Sequence, residues 1–452
     1  MSDSGTEGPL GEIDALIAAG DPVALHAYLT RFHPSDLADL LEELDEDERR
    51  QVLLALAPEP ALAAEALAEM EWEEHPEDSL ASLGPEQIAS LVRELSDDDA
   101  ADIIGELDPA DRDRVLAALP NLDAGDIRQL LRYHEESAGG LMTTELVAID
   151  ERLTAGEAIE EVRRQAKMVE EFYTIFVIDG DQRLRGTLPL QTLVTTAPSQ
   201  TIRELVEPAV ASVSPETDQE EVGRILSRYN LVALPVVDTR GRLLGRITFD
   251  DVMDVFEAET TEDILRFGGV SEEEEIRGGW SDAVRSRLPW LFLNLLTAFA
   301  AASVVYFYQG TIARLTTLAV LMPVIAGMGG NAGTQALAVT VRRLALSRES
   351  AGRRWSVVGK ELLVGLGNGL AIGLTMALVA FLLPGGGITL AVVVLLAMWL
   401  NLIVAGFAGA FVPIFLERLG VDPAIASSIF VTTFTDMVGF LLLLGLASRL
   451  LL

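Results

Sequence analysis

Cysteine is absent from the chain. Disulfides and thiolate metal centres are therefore excluded, which agrees with a reducing, cytosolic setting. Basic residues are scarce: 33 Lys and Arg stand against 69 Asp and Glu, for a net charge of −36. Such a field repels nucleic-acid phosphate and favours small cations. Histidine is rarer still. His26, His33, His75 and His134 all lie in or next to one helical region. No Ser/His/Asp group or phosphate-cradling loop accompanies them, so enzyme chemistry is not expected. The stretch Met1–Pro9 lacks the basic-then-apolar pattern of a signal peptide, so membrane insertion is expected to depend on later segments.

What the first 288 residues lack in long apolar runs, the remainder supplies. The first part holds 64 acidic and 24 basic residues, a net charge of −40. From Pro289 onward only Glu349, Glu361, Glu417, Asp422 and Asp436 are acidic, against nine basic residues. A bilayer core of about 30 Å needs roughly 20 apolar residues in helix, and five segments qualify: 288–308, 315–341, 357–383, 388–416 and 423–448. Arg285 and Arg287 precede the first, and Arg342, Arg343, Arg348, Arg353 and Arg354 fill the loop between the second and third. Lys and Arg favour the cytosolic side. The expectation is a multi-pass protein of the cell (inner) membrane with a cytoplasmic N-terminal half. Five spans then put the C-terminus outside.

Asp436 sits near the middle of the fifth segment, roughly 20 Å along the helix. A carboxylate at that depth costs at least about 2.5–3.5 kcal/mol, and no Lys or Arg occupies the apolar interior to neutralise it. It is protonated, facing water, or facing a cation. Thr432, Thr433 and Thr435 surround it with hydroxyl oxygens. The second segment carries Pro323-Val-Ile-Ala-Gly-Met-Gly-Gly-Asn-Ala-Gly-Thr-Gln335, a run of poor helix formers that implies a broken or closely packed span. The run includes Gly327 and Gly330, and Asn331 adds an amide oxygen. Hard oxygen ligands suit Mg²⁺, Ca²⁺ or Mn²⁺, and one or two carboxylates suffice for an Mg²⁺ that keeps its water. One Asp per chain is sparse, and a two-fold homodimer would place two on a shared axis. Gly365, Gly369 and Gly373 form a small-residue face on the third segment, suited to close helix packing.

The acidic half divides in two. Residues 36–56 align with 99–119 at an offset of 63, with 11 of 21 positions identical, and a weaker copy begins at Gln87. Leu, Ile and Val fall at helical spacing, which predicts stacked short helices in a superhelix. After Ala138-Gly139-Gly140 the pattern becomes strand, turn, strand, helix, twice over: Phe172–Asp179 and Leu231–Thr248 carry the strands, and a helix starts at Asp250. That order resembles a tandem CBS-domain pair. Such pairs often bind adenosine nucleotides, so ATP is a candidate ligand. Thr248 and Asp251 have the spacing that contacts a ribose in that family, whereas the first copy has Thr187 and Leu190 and lacks the Asp.

The glycine-asparagine run, the Lys360-Glu361-Leu-Leu-Val-Gly-Leu segment and the Thr435-Asp436-x-x-Gly439 element together resemble the MgtE family of magnesium transporters. The resemblance implies a dimer-axis pore lined by the second and fifth helices, with Asp436 holding hydrated Mg²⁺, Asn331 beside it, and Gly327, Gly330, Thr432 and Thr435 as pore-lining candidates. It also implies a multi-domain chain. An all-α superhelical domain spans 1–137, and an α/β CBS pair spans 138–198 and 199–256. A connecting helix and linker that plugs the cytosolic mouth occupies 257–287, and a five-helix transmembrane domain covers 288–452. Mg²⁺ is expected as both substrate and regulator. Bound between acidic faces it would favour a compact, closed form, and Glu216, Asp218, Asp250, Glu257, Glu259 and Asp263 are the sensor candidates. Two other readings stay open: a proton-coupled divalent-cation exporter, and a membrane-anchored adenosine-nucleotide sensor without transport.

Overall fold

The computed structural model describes residues 8–70, 79–80, 83–120, 123–167, 169, 172–270, 280–346, 351–419 and 423–452. The acidic run at 272–275, the glycines at 278 and 279 and the arginine at 348 lie outside them. The chain forms two compact units, Met1–Glu259 and Thr260–Leu452.

The first unit begins with nine short helices among the described residues: α1 (Pro9–Ala19), α2 (Pro22–Leu29), α3 (Pro34–Glu42), α4 (Glu46–Ala55), α5 (Pro60–Ala68), α6 (Pro85–Val92), α7 (Asp97–Glu106), α8 (Pro109–Ala118) and α9 (Asp123–Leu130). Proline opens most of them, which is where its missing N–H costs nothing. The 63-residue repeat is structural, with α3–α4 and α7–α8 as its two copies. Leu37, Ala38 and Leu41 are buried in one and Ala100, Ala101 and Ile104 in the other. Each copy also carries an arginine that turns back to cap the preceding helix. Arg49 donates from Nε to the Leu41 carbonyl at 2.7 Å and from Nη2 to the Glu42 carbonyl at 3.0 Å. Arg112 donates to the equivalent Gly105 carbonyl and to Leu107 O at 3.2 Å. Orphan carbonyls at helix ends need such partners.

Two similar α/β copies follow. The first has β1 (Ala148–Asp150), α10 (Ala155–Gln165), β2 (Thr174–Ile178), β3 (Leu184–Pro189) and α11 (Leu190–Thr195). The second has α12 (Gln219–Tyr229), β4 (Ala233–Val237), β5 (Leu243–Thr248) and α13 (Phe249–Gly268). The β2–β3 and β4–β5 pairs are antiparallel hairpins, and β1 adds to β2 in parallel. The two hairpin turns are tied reciprocally. Leu184 N donates to Gly241 O and Leu243 N donates to Gln182 O, both at 3.0 Å. The glycine pair that marks the change of pattern is there for close approach. A Cβ on Gly139 would stand 2.4 Å from the Tyr133 ring, and one on Gly140 would stand 2.3 Å from the Glu135 carbonyl.

The second unit contains α14 (Trp280–Phe307), the short α15 (Gln309–Arg314), α16 (Thr317–Leu346), α17 (Ala351–Leu382), α18 (Ile388–Arg418) and α19 (Pro423–Leu450). Among the described residues five of these, all but α15, are long and apolar enough to cross a membrane. The α16 helix passes through Pro323 without a break, and of its glycines Gly329 and Gly333 serve close packing. The glycine stripe of α17 does the same: a Cβ on Gly365 would lie 2.5 Å from the Leu402 carbonyl, and one on Gly369 2.8 Å from the Trp399 carbonyl, both on α18. Trp399 Nε1 donates back to Leu366 O at 3.0 Å. Leu318, Leu321 and Ile325 of α16, Val393, Val394 and Met398 of α18, and Leu443 and Leu444 of α19 make the common core.

Candidate functional site

In the membrane unit, α16 packs against both α18 and α19. The glycines of α16 divide by what they face. Gly329 meets the Asn401 amide and Thr435, and Gly333 meets Val431, all within the bundle. Gly327 faces open space, and Gly330 has only the Thr432 methyl near it, at 3.7 Å. Asn331 and Gln335 are exposed on the same open side as Gly327, one and two turns further on. Asp436 is half-buried on α19, and among the described residues its carboxylate meets no cation and no hydrogen-bond donor. Thr432 lies partly open and returns its hydroxyl proton to Ser428 O at 2.8 Å. Thr435 is fully buried. It is the neighbour that a glycine at 329 admits, so within one chain it belongs to a helix contact and not to an open surface.

Asn401 of α18 has no counterpart in the sequence expectations. It is completely buried between Gly329 and Gly439. Its Nδ2 donates to the Ile325 carbonyl at 3.1 Å, and its Oδ1 has no partner. The signal in the sequence was a lone amide within an otherwise apolar span. Glu361 on α17 is also buried, with the Lys360 ammonium 4.0 Å away.

In the first unit, the start of α7 docks through carboxylates on the segment at Thr143, which bridges to Arg246 of β5. Asp97 accepts from the Thr143 hydroxyl at 2.5 Å and from the Thr144 amide at 3.0 Å. Asp98 is buried beside it with Oδ1 unpartnered. Burial first, then the facing Asp251 and the adjacent Asp99, hold the Asp98 carboxyl well above the usual carboxylate range. Asp102, one turn on, is raised by burial and by Asp99, Glu135 and Asp251. Asp251 is itself raised by burial, although the Thr248 amide (2.9 Å) and hydroxyl (2.6 Å) both donate to its Oδ2. Asp254 is pushed up to about 6 by partial burial and by Asp251, Glu69 and Asp250. Like charges brought together in this way shift one another upward. Among the described residues no three acidic or histidine groups stand at metal-ligand spacing.

The six expected sensor residues are placed differently. Glu216, Asp250, Glu257 and Asp263 are exposed. Asp218 caps α12 by accepting from Glu220 N at 3.0 Å. Glu259 accepts from Gln219 Nε2 at 2.8 Å, and burial raises its carboxyl. Asp250 and Glu257 act on Asp254 through their charge, helping to raise its carboxyl. The buried Asp98 and Asp102 are not among the expected six, because an acid on a charged helix face reads as solvated.

A cavity of about 680 Å³ opens between the two α/β copies, lined by Tyr173, Thr187, Gln191, Asn230 and Val232 among others. Thr248 and Asp251 do not line it; they cap α13 and face α7. Hairpin register explains the difference. Pro189 pairs with Thr174 as Thr248 pairs with Ala233, so Pro189 and Thr192 are the first-copy counterparts of Thr248 and Asp251, and not Thr187 and Leu190. The first copy lacks the acid in either register.

Comparison with known proteins agrees with this architecture. The family model described as a divalent cation transporter matches residues 322–446, that of the MgtE intracellular N domain matches 32–136, and CBS domains match 138–198 and 202–258. The magnesium transporter MgtE of Thermus thermophilus is 39% identical over 441 residues, covering 96% of each chain. The magnesium transporter MgtE of Enterococcus faecalis is 36% identical over 326 residues, 72% of each. A crystal structure of the cytosolic domain of the Mg²⁺ channel MgtE in complex with ATP is 38% identical with a TM-score of 0.51, covering 54% of this chain and 99% of that one. With the five apolar helices, the helical repeat and the paired α/β copies all in place, the chain belongs to the MgtE family of divalent cation transporters.

Proposed function

We propose that this chain carries Mg²⁺ across the cell membrane, with Asp436 holding the hydrated ion, and that cytosolic Mg²⁺ closes the path by binding the acids between α7 and the second CBS copy. The observation that carries the transport reading is the Asp436 carboxylate, set in an apolar helix with no donor or cation of the described chain to meet it. An ionised group there needs water or a cation. Mg²⁺ retains much of its water and requires few protein ligands. The relatives named as magnesium transporters support Mg²⁺ as cargo.

A homodimer accounts for the open side of α16. Gly327, Asn331 and Gln335 would otherwise face lipid, where unpaired amides are costly. A second copy across that face covers them and brings a second Asp436 to the axis. The arginines at 342 and 343 support a cytosolic N-terminal unit, and five spans from there would carry the C-terminus to the outer side. The unpartnered Oδ1 of Asp98 supports the gating reading, because a divalent ion supplies the charge that Asp98, Asp102, Asp251 and Asp254 lack. Mg²⁺ that binds only the docked arrangement shifts the population toward it. The relative's domain solved with ATP supports an adenine-type ligand in the CBS pair as a second input.

Flux in proteoliposomes tests this. Asp436→Asn is expected to reduce Mg²⁺ flux at least about tenfold, roughly 1.4 kcal/mol of lost ion stabilisation or more, with Asp436→Glu retaining part of it. Undiminished flux in the Asn variant would sink the pore assignment. Flux driven by a pH gradient and indifferent to membrane potential would favour a proton-coupled exporter.

A further inference from the structure

The cavity between the two CBS copies has the volume of a small-ligand site, about 680 Å³ against a usual range of roughly 300–1,000 Å³. Its chemistry is unusual for a domain this acidic, since none of its fifteen lining residues is charged. The polar groups on its wall are the Thr174 and Thr187 hydroxyls and the Gln191 and Asn230 amides. Among the described residues none of these four side chains has a hydrogen-bond partner in the chain. The Tyr173 ring lies at the mouth, 61% exposed. An apolar chamber with an exposed aromatic face and free neutral donors and acceptors suits a flat, uncharged, hydrogen-bonding molecule.

It does not suit a triphosphate. Phosphate oxygens are held by Arg or Lys, or by the N–H groups at the start of a helix. Among the described residues the wall offers no Arg or Lys. The helix at its edge, α11, has only six residues, and its first amide, Leu190 N–H, is already given to the Tyr173 carbonyl at 3.1 Å. In the second copy, Thr248 and Asp251 stand at the corresponding turn. Around the cavity, the first 288 residues carry a net charge of −40, a field that opposes a polyanion.

We infer that this cleft binds an uncharged nucleoside and discriminates against the corresponding triphosphate. The inference rests on the reading that the CBS pair takes an adenine-type ligand and refines it, because the relative crystallised with ATP does not fix the preference here. The selectivity follows from the missing cation, so supplying one should change it. Gln191 is the lining residue whose replacement by Arg puts a guanidinium on the wall without touching the core.

Calorimetric titration of the full-length chain in detergent, at fixed Mg²⁺, tests this with adenosine and ATP as probes. Adenosine is expected to bind at least about tenfold more tightly than ATP, about 1.4 kcal/mol. Tyr173→Ala should weaken adenosine several-fold. Gln191→Arg should tighten ATP about tenfold and leave adenosine within about twofold, a gain that a misfolded variant cannot produce. ATP binding as tightly as adenosine to the unaltered chain overturns the inference and leaves the adenine-site reading standing. Absence of binding by both probes overturns the two together.

Discussion

Asp98 and Asp436 are both at least half-buried carboxylates, and their settings differ. Among the described residues Asp436 has nothing charged beside it, whereas Asp98 faces Asp251 across a junction between domains. Neutralising Asp98 removes a buried charge and its repulsion with Asp251 and Asp99 at once. Asp98→Asn is therefore expected to raise the thermal midpoint of the metal-free chain and to shrink the further rise that millimolar Mg²⁺ produces. Differential scanning of the full chain with and without Mg²⁺ reads both numbers. An unchanged Mg²⁺ increment would count against an ion at this junction. At this scale the sequence was legible only where context was one-dimensional. Asp436 stands out because some twenty apolar neighbours surround it in the chain. Asp98 and Asp102 do not, since α7 begins Asp97-Asp98-Asp99 and nothing local distinguishes the residue that turns inward. Thr248 and Asp251 were recognisable as a pair, but the pair caps α13, and only the strand register reveals which cleft it leaves.

At the scale of one helix, α16 holds two glycines with opposite constraints. A Cβ on Gly329 would stand 2.4 Å from the Asn401 amide nitrogen, while one on Gly327 meets nothing within 4 Å. Gly329→Ala must displace Asn401 from a filled interior, at a cost of about 1–3 kcal/mol. Gly327→Ala leaves the single-chain packing intact and gains helix propensity of about 0.5–1 kcal/mol. Thermal stability in detergent should therefore fall for the first and hold or rise for the second, and equal losses would contradict the packing. If Gly327 borders the ion path, its variant also reduces flux despite its stability. The existence of all five spans could be read from hydropathy, because burying the backbone in lipid demands uninterrupted apolar helix. Which face of α16 packs inward could not be read, since Gly327, Gly329, Gly330 and Gly333 look alike until their neighbours from α18 and α19 are in place.

For the whole molecule, the raised carboxyls set a direction for pH. A carboxyl whose folded value exceeds its unfolded one binds protons on folding, so its contribution favours the folded form in acid and fades as pH rises through the folded value. Asp254 at about 6 places that window between the ordinary carboxylate range and pH 6, and Asp98, Asp102 and Asp251 shift in the same direction. The metal-free chain should then melt at a higher temperature at pH 5.5 than at pH 7.5. Added Mg²⁺ should raise the midpoint more at pH 7.5, where protons no longer neutralise the cluster. A midpoint that climbs with pH would show the junction to be ion-paired instead.

The duplicated helices carry a further consequence. Shifting Asp98 back by 63 positions lands on Ser35, and shifting Asp102 back lands on Asp39; both are exposed on α3. Ser35 gives its hydroxyl proton to Glu69 at 3.0 Å. The same scaffold thus exists twice in one polypeptide, once facing solvent with serine and once docked with aspartate. Building the helix does not require an acid at that place, as its sibling demonstrates. Whatever keeps Asp98 there acts on the docked copy alone, and the chain contains its own control for that comparison.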